Sequence, residues 1–214
     1  MRPGLDLGIY LVTDTVQCGS RGVPAVVAAA VAGGVGVVQL RDPKASDDEF
    51  CRLGWALREV LDGTGVPLIV DDRVQLVNRI GAAGVHVGQR DMPVAAAREL
   101  LGAEAIIGLS VSTLDQVRAV RAARPGMIDY LGAGPVWATD TKPDHDPPIG
   151  PAGLGEIVAA SPWPVVAIGG IGAPRIAELR SCGIAGVAVV SAICTAEDPS
   201  AATAALRTSW EDNR

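Results

Sequence analysis

Eight short apolar runs, each followed by a stretch of helical character, repeat along the whole chain. The predicted strands are 9–13, 36–40, 67–70, 84–87, 105–109, 128–131, 164–168 and 186–190. Each run is mostly apolar, which is typical of strands buried on both faces of a parallel sheet. Because strictly alternating β/α units have right-handed crossovers, eight of them close into a barrel. The sequence therefore predicts an α/β fold, a single (β/α)8 TIM barrel with a parallel eight-stranded core, spanning residues 1–214 as one domain.

The segments between the strands carry helix signals. The predicted helices are 24–32, 47–61, 74–80, 94–101, 114–124, 151–159, 173–180 and 200–209. Ser46 precedes the second of them with Glu49 three residues on, the pattern of a capping box. The alternative fold is an open doubly wound sheet. The unit count of eight disfavours it, and no G-x-G-x-x-G follows the first strand.

Charge and composition exclude several classes of protein. The formal net charge of −6 argues against a nucleic-acid-binding protein, whose affinity comes from a basic face. We expect no membrane partner and a cytoplasmic location, because no apolar run approaches membrane-spanning length and no signal peptide is recognisable. The four cysteines form no C-x-x-C pair, so buried thiols are expected rather than a disulfide or metal site. The sequence leaves the oligomeric state open, a homo-oligomer included.

Polar residues collect where the predicted strands end. In chain order they are Thr13-Asp14, Gln39 to Asp42, Asp71 to Arg73, His86, Gln89 and Asp91, Ser110, Thr139 to Lys142, Gly169-Gly170 and Ser191. Enzymes with this fold carry their active sites at the carboxyl ends of the strands. A single residue of this kind is ordinary turn chemistry, but a ring of them at one end predicts one site. The long irregular segment 134–150 is predicted to be functional and to close over ligand.

Two kinds of anion site are indicated. Asp72 and Asp91 follow neighbouring strands and are candidate ligands of one Mg²⁺ ion, which commonly binds one or two carboxylates together with phosphate oxygens. Helix capping is the other explanation for Asp72. Arg41, Lys44 and Lys142 are candidate cations for a diphosphate.

The second anion site follows the last two strands. Gly169-Gly170 and Val190-Ser191 occupy the two loops that commonly bind phosphate in this fold. A tight turn is the other explanation for the glycine pair. Two phosphorylated small molecules in one barrel mouth imply a transfer or condensation reaction.

In these segments the chain resembles the thiamine phosphate synthase family. The most specific matches are Gln-Leu-Arg-Asp at 39–42, Gly-Val-His-Val-Gly-Gln at 84–89 and Thr-x-Thr-Lys at 139–142, in this order. The resemblance covers nearly the whole chain. It implies condensation of a hydroxymethylpyrimidine diphosphate with a thiazole phosphate carboxylate, releasing diphosphate and CO₂ with the help of Mg²⁺.

The resemblance also implies roles for individual residues. Asp72 and Asp91 match the metal ligands of the family. The residues that match its substrate-binding positions are Gln39, Leu40, Arg41, Asp42, Pro43, Asp71, Ser110 and Lys142 for the pyrimidine diphosphate, and Thr139, Asp140, Thr141, Gly170, Val190 and Ser191 for the thiazole phosphate. We expect Arg41, Lys44, Lys142 and Ser110 to be catalytic. His86 is expected to be structural.

The chain departs from the family pattern at two positions. The family usually has Lys after Arg-Asp, whereas here Pro43 is followed by Lys44, and Lys44 is predicted to reach the same diphosphate. The family usually has Asn before the metal-binding Asp, whereas here Asp71 is expected to contact Mg²⁺ or its waters. These departures support one alternative, a non-catalytic phosphate-binding barrel.

The other alternative is a thiazole tautomerase of the sister family. That family often has His two residues after the serine of the fifth strand, where this chain has Ser112.

Overall fold

The computed structural model describes residues 4–121, 126–139, 141 and 146–212, with Arg180 described by its backbone alone. Eight parallel strands close into a barrel in which each strand pairs with the next and the last pairs with the first. The strands are β1 (Ile9–Val12), β2 (Val37–Leu40), β3 (Leu68–Asp71), β4 (Gly84–Val87), β5 (Ile106–Val111), β6 (Tyr130–Ala133), β7 (Val165–Ile168) and β8 (Gly186–Val189). The predicted (β/α)8 TIM barrel is confirmed, and the open doubly wound sheet is wrong.

Helices follow the strands. They are α1 (Thr15–Cys18), α2 (Val23–Ala32), α3 (Asp47–Leu61), α4 (Val77–Ile80), α5 (Val94–Leu101), α6 (Leu114–Arg121), α7 (Gly150–Ala160), α8 (Ala173–Ile176), α9 (Ser191–Cys194) and α10 (Pro199–Asp212), with 3₁₀ turns at Gly19–Arg21, Val74–Leu76 and Ala177–Cys182. Helix α3 begins where predicted because the Ser46 hydroxyl accepts from the Glu49 N–H at 3.3 Å, while the Glu49 carboxylate accepts from the Ser46 N–H at 2.9 Å. The segments 74–80 and 173–180, predicted as continuous helices, are divided between α-helix and 3₁₀ turn.

Alternate strand residues belong to two different apolar layers. In β1, Ile9 and Leu11 pack with the surrounding helices, while Tyr10 and Val12 belong to a second cluster. The other strand members of the second cluster are Val37, Ile69, Ile106, Tyr130, Val166 and Ala188. Because side chains alternate between the two faces of a strand, this second cluster fills the barrel interior.

The barrel interior becomes polar towards the carboxyl ends of the strands. Gln39 and Asp71 each stand two positions after an interior residue, and Ser110 stands four positions after Ile106. By the same two-residue period these three side chains share the inward face. The fold thereby places polar groups from β2, β3 and β5 around one opening.

The remaining sequence expectations concern membranes and cysteines. No helix within the described ranges has the length and apolar character needed to cross a membrane. Cys18, Cys51, Cys182 and Cys194 are all buried and unbridged, as predicted from their spacing.

Candidate active site

A cavity of about 1170 Å³ opens at the carboxyl ends of the strands. The predicted site residues that line it are Gln39, Arg41, Asp42, Pro43, Lys44, Asp71, Asp72, Asp91, Ser110, Thr139, Thr141, Gly170, Val190 and Ser191. Leu40 differs from its neighbours because its side chain is fully buried in the apolar layer around the barrel. Asp140 and Lys142 lie outside the described residues. The structure therefore brings the described polar candidates together.

Arg41 lies between two carboxylates. Its guanidinium nitrogens are 3.7 Å from an Asp14 oxygen and 3.6 Å from an Asp71 oxygen. Both distances exceed the ~2.7–3.2 Å of a good hydrogen bond, so Arg41 forms ion pairs with these two carboxylates without well-formed hydrogen bonds to them. Its donors can therefore turn to a phosphate. Asp71, which we expected to contact Mg²⁺ or its waters, forms an ion pair with Arg41 in this structure.

The loop after β2 is held in place by its own side chains. One Asp42 oxygen accepts from the Lys44 and Ala45 N–H groups, each at 3.2 Å, and the other accepts from the Thr15 hydroxyl at 2.7 Å. Arg73 donates to the carbonyls of Asp42 at 3.2 Å and Ala45 at 2.6 Å. The side chain of Asp42 therefore shapes the loop that presents the exposed Lys44 ammonium to the cavity.

The two proposed metal ligands face the same cavity from neighbouring strand ends. Asp72 has a positive φ of 58°, and its N–H donates to the His86 carbonyl at 2.9 Å. The left-handed region costs a non-glycine residue roughly 1–2 kcal/mol, and Asp tolerates it better than most. Asp91 accepts from the Gly88 N–H at 2.7 Å through one carboxylate oxygen.

The Asp72 and Asp91 carboxylates fit a magnesium site better than a site in which protein side chains supply every metal ligand. Within the described ranges no three His, Cys, Asp or Glu side chains gather as a metal site. Two carboxylates beside a cavity suit Mg²⁺, because this ion keeps several waters and completes its octahedron with substrate phosphate oxygens.

The glycine pair after β7 is packed under the loop that follows β6. Gly169 and Gly170 have φ values of 103° and 66°, and a Cβ on Gly169 would lie 2.5 Å from Pro135. Only glycine adopts this pair of conformations in so little space. Arg175 donates to the Gly170 carbonyl at 2.5 Å and stacks on Trp137 with 4.8 Å to the ring centroid. A cation therefore stands beside the predicted monophosphate pocket.

The loop after β6 also contacts α1. Gln17 donates through its side-chain amide to the Thr141 hydroxyl at 3.3 Å, and its own N–H donates to Asp14 at 2.9 Å. The N–H of Thr141 donates to the Thr139 hydroxyl at 3.3 Å. These contacts place the two predicted threonines at the cavity wall, next to the loops of β1 and β2.

A line of hydrogen bonds runs through the barrel interior to Ser110. The Tyr10 and Tyr130 hydroxyls are 2.7 Å apart, the Tyr130 hydroxyl is 3.0 Å from His86 Nδ1, and His86 Nε2 is 2.8 Å from Ser110 Oγ. Burial raises the pKa of Tyr10 well above its ordinary value, and the neighbouring Tyr130 and Asp71 add to the effect. Burial is also the main reason that the pKa of Tyr130 is raised. Both tyrosines are therefore neutral hydroxyls near pH 7.

Sequence reasoning did not find several residues that shape this site. Tyr10 and Tyr130 read as ordinary strand residues, because an apolar run does not reveal which positions point into the barrel. For Arg73 the sequence indicates no role beyond its place at the end of Asp71-Asp72-Arg73. Gln17 and Arg175 gave no signal, because their partners are distant in the chain and become neighbours only when the barrel closes.

Comparison with known proteins gives consistent similarities. A family model described as thiamine monophosphate synthase matches residues 9–193, a range that includes all eight strands. A thiamine-phosphate synthase of Laribacter hongkongensis is 46% identical over 207 residues, which cover 96% of each chain. One from Albidiferax ferrireducens is 47% identical over 201 residues, covering 94% of this chain and 90% of the relative.

A solved structure extends the similarity to three dimensions. A thiamine phosphate pyrophosphorylase from Pyrococcus furiosus superposes with a TM-score of 0.87 at 35% identity, covering 98% of both chains. The similarity therefore includes the strand ends that form the cavity, as well as the barrel framework.

Proposed function

This chain belongs to the thiamine monophosphate synthase family and is a transferase of thiamine biosynthesis, and we propose that the cavity at the strand ends is its active site. In the proposed reaction a hydroxymethylpyrimidine diphosphate condenses with a thiazole phosphate carboxylate. Thiamine phosphate, diphosphate and CO₂ are the products. The observation that carries the proposal is that the described polar candidates from six different strand ends line one cavity.

The size of the cavity supports binding of two substrates. Pockets for one drug-sized ligand commonly enclose ~300–1,000 Å³, and this cavity encloses about 1170 Å³. Its two ends differ in chemistry. The side formed by β2, β3 and β4 carries the carboxylate pair together with Arg41 and Lys44, while the side formed by β7 and β8 carries glycine backbone and the Ser191 hydroxyl.

The first side suits the pyrimidine diphosphate. Asp72 and Asp91 would hold one Mg²⁺ ion, which when bound supplies positive charge to the diphosphate and lowers the barrier to its departure. Arg41 and Lys44 act on the same charge, Arg41 by paired donors and Lys44 as a point charge. By resemblance Lys142 joins them. Electrostatic stabilisation of this kind is commonly the largest contribution to catalysis.

The chemistry does not require a nucleophilic side chain. The aminopyrimidine ring delocalises the positive charge that is left on its exocyclic methylene as the C–O bond to diphosphate breaks. The thiazole nitrogen then attacks that carbon. The protein contributes by holding the two reactants in line, which removes the entropy cost of their encounter. Gln39, Asp71 and Ser110 face the cavity from the barrel interior and are proposed to orient the pyrimidine.

The second side suits the thiazole phosphate. Gly170, Val190 and Ser191 offer backbone N–H groups and a hydroxyl to the monophosphate. Thr139 and Thr141 line the wall between the two sides, where the bond forms. By resemblance Asp140 belongs to the same wall.

One structural detail disfavours the sister reaction, a tautomerisation that needs an acid or base at position 112. Ser112 occupies that position, and its hydroxyl is 2.6 Å from an Asp146 oxygen and 3.2 Å from the Gln116 amide oxygen. A serine held in this way does not provide a general base.

Product analysis tests the proposal. The purified protein is incubated with both substrates and either Mg²⁺ or EDTA, and thiamine phosphate and diphosphate are quantified. We expect equimolar products with Mg²⁺ and little of either with EDTA. Binding of both substrates in a thermal-shift titration without any product would instead indicate the non-catalytic barrel. Loss of the thiazole tautomer signal without diphosphate release would indicate the tautomerase.

The cellular setting follows from this function. We propose a cytoplasmic enzyme in which residues 1–214 form one domain that acts on small molecules, with no nucleic-acid or membrane partner. Sedimentation of the purified protein measures whether it forms a homo-oligomer.

A further inference from the structure

Four polar side chains form a continuous path along the cavity, from its innermost wall towards the strand ends. The path runs from Tyr10 through Tyr130 and His86 to Ser110, with successive separations of 2.7, 3.0 and 2.8 Å. All four side chains line the cavity, and Tyr10 and Tyr130 are only 2% and 1% exposed. The path therefore connects the buried inner wall of the cavity to the place where substrate is proposed to bind.

Two glycines make the room for this path. A Cβ on Gly108 would lie 2.2 Å from the Tyr130 ring and 2.4 Å from His86 Nδ1. A Cβ on Gly132 would lie 2.9 Å from His86 Cε1. Any other residue at these positions displaces the imidazole or the phenol. The space that His86 and Tyr130 occupy therefore depends on the absence of side chains at Gly108 and Gly132.

The direction of the hydrogen bonds is set at the buried end. Within the described residues, the Tyr10 hydroxyl has one hydrogen-bond partner, the Tyr130 hydroxyl. If Tyr130 donated to Tyr10, the proton of the 2% exposed Tyr10 would be left without a protein acceptor among the described residues, which is unfavourable for a buried hydroxyl. Tyr10 is therefore the donor, and the Tyr130 proton is directed to His86 Nδ1.

The donor at Nδ1 also determines the tautomer of the His86 imidazole. A neutral histidine that accepts at Nδ1 carries its proton at Nε2. His86 therefore donates from Nε2 to Ser110 Oγ. Because that oxygen is already an acceptor, the hydroxyl proton of Ser110 is left to be donated into the cavity.

We propose that His86, oriented by Tyr130 and Tyr10, is a positioning residue that fixes the Ser110 hydroxyl as a hydrogen-bond donor to an acceptor atom of the pyrimidine substrate. The proposal rests on the function proposed above. It deepens that function by fixing the Ser110 hydroxyl as a donor, whereas a free hydroxyl can either donate or accept. A fixed donor discriminates against substrate analogues that present an N–H group at the same point, because two donors would then face each other.

Imidazole nitrogen NMR of the substrate-free protein tests the tautomer. The chain has two histidines, so a His145→Gln variant assigns the His86 signals without further labelling. Above neutral pH we expect the Nε2–H tautomer in the otherwise native protein. In the Tyr10→Phe/Tyr130→Phe variant, which removes the hydroxyl that donates to Nδ1, we expect a larger share of the Nδ1–H tautomer. The Nδ1–H tautomer in the native protein overturns the proposal.

Single-turnover kinetics test whether the effect acts through Ser110. The Tyr10→Phe/Tyr130→Phe variant is expected to lower the single-turnover rate of thiamine phosphate formation about tenfold, with the steady-state KM for thiazole phosphate unchanged, because only the orientation of one donor is lost. In a Ser110→Ala background the same pair of changes is expected to cost less than about twofold. Equal losses in the two backgrounds contradict action through Ser110.

The two readouts keep this inference separate from the proposed function. The tautomer is measured without substrate, so it is decided even if the native protein forms no thiamine phosphate. Product formation by the native protein decides the proposed function whatever the tautomer is.

Discussion

At the scale of single residues, Arg41 shows how a sheltered positive charge is stabilised in the cavity without substrate. Two carboxylates flank its guanidinium at 3.6 and 3.7 Å, and its side chain is 18% exposed. A cation this sheltered is expensive to leave without a partner. We propose that Asp14 and Asp71 keep it in place until the donors of Arg41 bind a diphosphate.

Removing the guanidinium tests that role. Arg41→Ala is expected to lower kcat/KM at least about a hundredfold, equivalent to roughly 2.7 kcal/mol of transition-state stabilisation. Arg52→Ala, a change at an exposed position of α3, is the matched control and is expected to retain native kinetics. Steady-state rates of thiamine phosphate formation measure both. Near-native turnover by Arg41→Ala would refute the assignment.

Asp71 stands at one of the two positions where this chain departs from the family pattern, and we propose that its carboxylate competes with substrate for Arg41. Asp71→Asn removes that negative charge and keeps the size of the side chain. We expect the KM for the pyrimidine diphosphate to fall roughly two- to fivefold, because like charge near an anionic ligand weakens its binding. A rise in KM would indicate instead that the carboxylate itself serves the substrate or the metal.

At the scale of elements, the loop after β2 is positioned by an arginine from the loop after β3. Arg73 contacts two loop carbonyls, pairs with Asp47 at 2.9 Å and stacks on Phe50 with 4.5 Å to the ring centroid. Several contacts to one planar group fix an orientation that a single contact leaves free. The position of Lys44 depends on this arrangement.

Arg73→Lys tests the loop, because it keeps the charge and loses the fork of donors. The KM for the pyrimidine diphosphate is expected to rise about tenfold with a smaller change in kcat. Arg79→Lys is a closely matched control: Arg79 pairs with Asp48 at 2.7 Å and lies 5.9 Å from the Trp55 ring, away from the cavity. Equal kinetic effects of the two changes would contradict a loop-specific role.

The turn after β4 brings Asp91 back over the strand end. Gly88 permits this, since a Cβ there would lie 2.8 Å from the Asp91 carboxylate oxygen that its N–H binds. Gly88→Ala is expected to raise the Mg²⁺ concentration for half-maximal activity about tenfold, because outer-shell partners of metal ligands contribute on this scale. Gly155→Ala in α7, where a Cβ meets nothing within 4 Å, is the control. An unchanged Mg²⁺ dependence would contradict the role of Asp91 as a ligand of the metal ion.

At the scale of the whole molecule, the barrel and the ring of site residues could be predicted from sequence because both depend on local pattern. Buried parallel strands are apolar throughout, and the residues after them are polar where the barrel opens. Helix α3 was predicted to the residue because Ser46 and Glu49 mark its start. Helices α1 and α9 were missed because four residues are too few to show a period.

The interior network could not be predicted, for a related reason. When both faces of a strand are buried, the sequence does not show which positions face the barrel axis. The positions of Tyr10 and Tyr130 inside the barrel follow from strand register across the closed sheet, and the space around them depends on Gly108 and Gly132. These relations arise between residues far apart in the chain.

A crystal structure of the protein with Mg²⁺, diphosphate and thiamine phosphate tests the central claim most directly. We expect one metal ion at ~2.0–2.1 Å from carboxylate oxygens of both Asp72 and Asp91, bridged to diphosphate oxygens. The phosphate of the product should lie at Gly170 and Ser191, across the same cavity. A metal ion bound elsewhere, or two ligands that cannot occupy the cavity together, would contradict the account.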